Sequence, residues 1–205
     1  MTAKEVYDLG MKKLQAFNVG ALLPALRMAN DGARQDVLNT NGCANYQWII
    51  GVIEELKPKL VVELGGAMGV WDLCVLHTLP QGSALYSITL AEHGLEFSYI
   101  ADNYLNFFPI IGDDLDISVW PSTLALGDTD LWYFDSLHTE DQLRKELDLY
   151  SPFFKKGTII LFDDIHLNEG MDKVWRDIQD GKYGKMDCFD GSDPLHWSGY
   201  GICIT

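Results

Sequence analysis

Two stretches of the chain end an apolar run in aspartate and follow it with histidine: LWYFDSLH at residues 131–138 and GTIILFDDIH at residues 157–166. Asp135 closes the first run, and Asp163 and Asp164 close the second. Three carboxylates brought to one place repel one another unless a cation sits among them, and hard divalent cations choose carboxylate oxygens. A third stretch, ELGGAMG at residues 63–69, puts Glu63 at the end of an apolar run and Gly65, Gly66 and Gly69 in the turn after it. Glycines there let backbone approach a ligand and let the next helix start tightly, although their spacing is not the G-x-G-x-x-G of a dinucleotide site.

These residues make one site only if the runs that carry them are strands ending on the same side of one sheet. The pattern predicts that. A helix over 45–57, with Trp48, Val52, Ile53 and Leu56 on one side, is closed by Pro58. Strand 59–66 follows, then a helix over 70–79 on which Leu73, Leu76 and Leu79 recur, ended by Pro80. Strand 83–90, a helix over 97–108, strand 108–114 and strand 131–136 come next. The helix over 139–153 opens with a capping box, Thr139 as N-cap and Gln142 three residues on. Strand 158–164 and a helix over 169–179, with Met171, Val174, Trp175 and Ile178 inward, complete the alternation.

Strands that are apolar throughout belong to a parallel sheet covered on both faces, and strand–helix alternation gives a doubly wound α/β fold. Residues 185–205 hold two β-like runs with no helix between them, so the last pair is expected to be antiparallel. The first 44 residues read as short helices broken by Gly20, Pro24, Gly32 and Gly42, a cap appended to a core spanning 45–205. Ligands of such sheets bind beyond the carboxyl ends of the strands. Those ends are Glu63 with the glycine turn, Thr89, Asp113 with Asp114, Asp135 with His138, and Asp163 with Asp164. They suit a ligand with an amino group, a positive centre and ribose hydroxyls better than a phosphate.

The composition agrees with one globular unit: 47% hydrophobic residues against 22% charged is too apolar for disorder. A formal charge of −15 argues against nucleic-acid and anionic-membrane partners and suits a neutral or cationic small molecule. Cys43, Cys74, Cys188 and Cys203 form no CxxC pair and read as reduced thiols. The polar N-terminus lacks a signal-peptide core, and no apolar stretch reaches the ~18 residues of a membrane span, so a cytoplasmic protein is expected. A homo-oligomer stays open.

ELGGAMG has the E/D-x-G-x-x-x-G form of the first motif of class I S-adenosylmethionine-dependent methyltransferases, and the chain resembles that family from Asn45 onward. The resemblance implies a Rossmann-like sheet of about seven strands whose C-terminal strand is antiparallel. It implies that Gly65, Gly66 and Gly69 line the methionine part of S-adenosyl-L-methionine and that Glu63 fixes the loop and the cofactor's amino end. Asp113, with Asp114, would lie beside the adenine, and Asp135 could reach the amino group. Thr89 stands where many members carry the acid that binds the ribose, a weaker hydrogen-bonding group, with Glu92 as a substitute.

The pair FDSLH and FDDIH is similar to a narrower branch, the metal-assisted small-molecule O-methyltransferases and the macrocin and cephalosporin-hydroxylase-like groups near them. On that pattern Asp135, Asp163 and Asp164 hold Mg²⁺ or a similar cation. His138 is then the general base, since an imidazole's ordinary pKa of about 6.5 suits proton removal near neutrality, and His166 lies at the rim. Structural readings stand beside these. Asp163 and Asp164 could cap the following helix. Trp132, Tyr133 and Phe134 are strand core, and Trp197 and Tyr200 either pack the last strands or line a pocket. A metal-independent N- or O-methyltransferase using His138 and orientation alone, and a non-catalytic binding module on the same fold, remain as alternatives.

Overall fold

The computed structural model describes residues 1–14, 44–67, 69–91, 96–178, 182–188 and 195–205. Cys43, Glu92 and the glycine-broken helices expected before residue 44 lie outside them. Helix α1 (Ala3–Lys13) begins in a complete capping box between Thr2 and Glu5. It buries Ala3 and Val6 in the main core, and the Trp48 indole N–H donates to its Tyr7 carbonyl at 3.0 Å. This first helix is thereby part of the core rather than a cover laid over it.

Seven strands form one sheet: β1 (Leu60–Leu64), β2 (Ala84–Thr89), β3 (Phe107–Ile111), β4 (Leu131–Phe134), β5 (Ile159–Asp163), β6 (Gly184–Asp187) and β7 (Tyr200–Ile204). Their order is β3-β2-β1-β4-β5-β7-β6. The first five are parallel, and β7 runs antiparallel to both β5 and β6, as the two closing runs without a helix between them predict.

Alternation along the strands sorts the core into two layers. Val61, Tyr133, Leu161 and Tyr200 face α2 (Asn45–Leu56) and α3 (Val70–Thr78), while Val62, Trp132, Phe134 and Phe162 face α5 (Glu140–Tyr150) and α6 (Glu169–Asp177). Trp132, Tyr133 and Phe134 are all core, as expected. Of the two late aromatics, Tyr200 is fully buried, whereas Trp197 is 66% exposed. Cys74, Cys188 and Cys203 are buried. No helix among the described residues is long and apolar enough to cross a membrane.

Two local expectations change. The helix expected over 97–108 is α4 (Glu96–Asn103), and Phe107 and Phe108 belong to β3. Aromatic contacts outweigh helical spacing there: Phe108 stacks on Tyr86 of the neighbouring strand at 4.6 Å, and Phe107 meets Phe97 of α4 edge-on at 5.5 Å. The capping box of α5 forms only in half. Thr139 accepts from the Gln142 amide at 3.3 Å, but the Gln142 side chain donates to Asp114 at 2.8 Å and Glu146 at 2.9 Å instead of reaching back.

Candidate active site

Strand order reverses between β1 and β4, the place whose crevice binds the ligands of open α/β sheets. The loop after β1 is pinned by the Gly65 and Gly66 amides, which both donate to the Ile88 carbonyl at 2.9 and 3.0 Å. Gly65 has φ +99°, and a Cβ there would lie 2.0 Å from the Asp135 carbonyl oxygen. The glycine loop thus runs directly against the backbone that presents Asp135, a contact only glycine permits. Gly69, at φ +76°, is the N-cap of α3. A cavity of about 50 Å³ is lined by Glu63, Gly65, Gly66, Gly69, Trp71 and Asp135 among others, so the motif residues and the first aspartate share one space. Glu63 is buried at its base, accepting from the Ser87 hydroxyl at 2.5 Å, and burial raises its carboxyl above the usual range.

The residues expected around ribose and adenine are placed unequally. Thr89 is buried at the end of β2 and donates to the Ala91 carbonyl at 3.3 Å. Asp113 is exposed and turned onto its own loop, accepting from the Leu115 amide at 2.9 Å. Asp114 is the buried one, joined through Gln142 to Glu146. Glu146 is 1% exposed and accepts also from the Ser136 hydroxyl; burial first, and then the Asp114 charge, push its carboxyl up to about 8.

A carboxyl raised in the folded state adds stability below its unfolded pKa and loses it as pH climbs through the folded value. The contribution of Glu146 is therefore present near pH 4 and lost between about 4.5 and 8. Glu146→Gln keeps the acceptor oxygen and removes the charge. Thermal melts should show it close to wild type at pH 5 and more stable by roughly 3 kcal/mol at pH 9.

Beyond β4 and β5, Asp163 is the member shared by two overlapping groups of donor atoms. The Asp135, His138 and Asp163 donor atoms lie within 4.8 Å of one another, and so do those of Asp163, Asp164 and His196. His138 Nε2 is 3.2 Å from Asp135 Oδ1, and its Nδ1 is 3.2 Å from Asp164 Oδ2. His196 Nδ1 lies 3.2 Å from Asp164 Oδ1 and 2.8 Å from the Ser198 hydroxyl, which donates to Asp164. Burial first, and then neighbouring acids, push Asp135 and Asp163 well above the carboxylate range. Asp164 goes the other way: burial raises it, but hydrogen bonds from His196 and Ser198 and the nearby imidazoles hold it below its ordinary value. Asp163 Oδ1 and His138 Nε2 are buried atoms that form no hydrogen bond of good geometry among the described residues, although His196 Nδ1 stands 3.8 Å from the first and Asp135 3.2 Å from the second.

The capping role for the aspartate pair does not hold. The N-cap of α6 is Asn168, which accepts from the Met171 amide at 3.0 Å and donates to the His138 carbonyl at 2.9 Å. Asp164 instead adopts φ +55°, a left-handed conformation that aspartate tolerates better than most side chains. His166, expected at the rim, lies between Asp172 at 2.9 Å and Asp187 at 2.8 Å, where it ties α6 to β6. Sequence reasoning missed His196, Ser198, Glu146 and Asp72. The first two sit in LHWSGY just before β7, and a histidine and a hydroxyl leading into the strand beside β5 are the signal that could have found them.

The comparisons with known proteins agree with this geometry. The model of a family described as a methyltransferase domain matches residues 62–165, a span that holds the glycine loop and all three aspartates. No curated protein matches the chain. Solved structures share its fold at low identity. The SAH-bound methyltransferase PaMTH1 of Podospora anserina has a TM-score of 0.67 at 15% identity, over 90% of this chain and 87% of that one. The O-methyltransferase TomG of Streptomyces achromogenes, in complex with SAM, has 0.63 at 13%, over 100% and 99%. An O-methyltransferase of Bacillus cereus in complex with SAH has 0.60 at 14%, over 87% and 93%. Since the family match covers half of the chain and contains the strand ends that build the crevice, the chain belongs to the methyltransferase domain family and is a class I S-adenosylmethionine-dependent methyltransferase.

Proposed function

We propose that the enzyme methylates a hydroxyl oxygen of a small molecule, with Asp135, Asp163 and Asp164 holding a divalent cation beside the cofactor's sulfonium. The observation that carries this is that the buried Asp163 belongs to two donor groups at once, one with Asp135 and one with Asp164. The carboxylate oxygens fit a hard cation such as Mg²⁺ or Mn²⁺, and His196 adds a nitrogen in reach that the motif alone does not supply. The O-methyl transfer named for TomG and for the Bacillus cereus protein supports an oxygen acceptor.

When bound, the cation supplies Lewis acidity that lowers the pKa of an acceptor hydroxyl. The remaining work falls to the chain's own groups. Glu63 and the loop from Gly65 to Gly69 orient the methionine part of the cofactor, and Asp135 lies where the cofactor cavity meets the aspartate cluster. His138 takes the acceptor's proton at Nε2, the nitrogen beside Asp135, while Asp164 orients the ring through Nδ1. Orientation of donor and acceptor supplies the rest of the rate. Because β5 and β7 present their ends beside this cluster, the acceptor pocket lies on the β5–β7 side of the crevice.

A metal-independent transfer is the second reading. The observation in its favour is that His138 and His196 already stand among the aspartates as partners. Melting curves separate the two. In chelator-treated protein, millimolar Mg²⁺ or Mn²⁺ should raise the melting temperature by several degrees through ligation of the native state. Methyl transfer to hydroxylated acceptors should fall with EDTA and return with the cation. Absence of both effects would leave His138 and orientation as the mechanism.

A further inference from the structure

Asp72 has no place in the site as described, yet its surroundings are unusual. It stands in the first turn of α3, fully buried, and neither carboxylate oxygen has a hydrogen-bond partner among the described residues. An acid at the third position of a helix ordinarily reaches back to the N-cap amide. Here that amide, of Gly69, donates to the Gly66 carbonyl at 3.2 Å instead. The polar side chains in hydrogen-bonding reach of Asp72 are the Glu63 carboxyl and the Ser87 hydroxyl. The Ser87 proton is already committed to Glu63 Oε2 at 2.5 Å. The charges that bear on Asp72 are those of Glu63 and Asp135, both acids.

Two carboxyl groups in contact in a dry interior do not both ionise; they share a proton and titrate as a pair. Asp72 and Glu63 then carry one net negative charge between them. The glycine loop lies against this pair, of which Glu63 lines the cavity. A Cβ on Gly66 would come 3.1 Å from Glu63 Oε2, and one on Gly69 would come 3.6 Å from Asp72 Oδ2. The cavity of about 50 Å³ on that side has room for one small cationic head.

We propose that Asp72 is a positioning residue for the cofactor's α-ammonium: it keeps a proton against Glu63, so that a fixed pair of single negative charge faces a single positive one. The proposal rests on the glycine loop holding S-adenosylmethionine. It explains why an acid is tolerated at a fully buried helical position with no cation beside it. Burial first, and then the Glu63 charge, push Asp72 well above the carboxylate range, consistent with a retained proton. Asparagine at this position keeps a donor to Glu63 and the same neutral form, whereas leucine keeps the volume and removes the donor.

Calorimetry with two probes tests this. S-adenosylhomocysteine carries the amino-acid end, and 5′-methylthioadenosine shares its adenosine and sulfur but lacks that end. Asp72→Leu, with Asp72→Ala in its place should leucine not pack, is expected to weaken S-adenosylhomocysteine at least tenfold and leave 5′-methylthioadenosine within twofold. Asp72→Asn should restore S-adenosylhomocysteine to within about threefold of wild type, the small residual expected when one neutral donor replaces another. Equal weakening of both probes, no weakening of either, or an Asn variant as weak as the Leu variant would each overturn the proposal. Wild-type protein that binds neither probe would overturn the cofactor assignment along with it, an outcome distinct from the other three.

Discussion

Asp163→Asn should lower kcat/KM by on the order of 10²- to 10³-fold and yet raise the melting temperature of the metal-free protein. The two effects have one origin. Asp163 is 6% exposed, its Oδ1 forms no hydrogen bond of good geometry, and Asp135 and Asp164 repel it. An arrangement of that kind costs stability in the free enzyme and is repaid only when a cation arrives. Asparagine keeps the volume and one carbonyl oxygen, removes the charge, and so relieves the apo protein while spoiling the ligand set. The Mg²⁺-dependent rise in melting temperature should disappear in the same variant. Loss of activity together with a lower melting temperature would mean that Asp163 serves packing. Full activity would remove the aspartates from the mechanism.

Gly65→Ala is the most disruptive single change expected, at about 3 kcal/mol or more. Two costs combine in it. The backbone is at φ +99°, and the new Cβ would meet the Asp135 carbonyl oxygen at 2.0 Å, a contact between two main-chain segments with no flexible side chain to yield. For a domain of this length the melting temperature should fall by about 6–12 °C, and S-adenosylhomocysteine binding should be lost. Gly82→Ala separates the two costs, because Gly82 has φ +84° but nothing within 4 Å of the added methyl. It should lose only about 1 kcal/mol. Equal melting temperatures for the two variants would show that the β1 loop gives way and that the approach to Asp135 is not fixed.

The features carried by short-range pattern were legible in the sequence. Apolar runs of four to six residues between helical repeats mark β1, β2, β4 and β5, and the acids ending them fall at Glu63, Asp135, Asp163 and Asp164 on one edge of the sheet. What the pattern could not carry was partnership through space. His196 reaches Asp164 only because β7 lies beside β5, a pairing across some forty residues. Gln142 has the right type and spacing for a capping box, but Asp114 and Glu146 offer its amide better acceptors. Asp72 lies in an otherwise apolar helix, and its meeting with Glu63 depends on how α3 folds back over β1. The helix read through to Phe108 failed for a related reason: Tyr86, the partner of Phe108, is visible only once β2 and β3 are paired, and Phe97, the partner of Phe107, only once α4 packs back on β3.

The seam between β1 and β4 divides labour as well as strand order. On the proposed assignment the cofactor's amino-acid end meets Glu63, the glycine turn and Asp135, while His196 and Ser198 reach Asp164 from the segment leading into β7. Asp135, just after β4, belongs to both the cavity lining and the aspartate cluster. Substitutions on the approach to β7 can therefore explore new acceptors without disturbing a costly, strained cofactor loop, and selection can act on the two halves almost independently. A scaffold arranged this way diverges in what it modifies long before it diverges in what it uses to modify it.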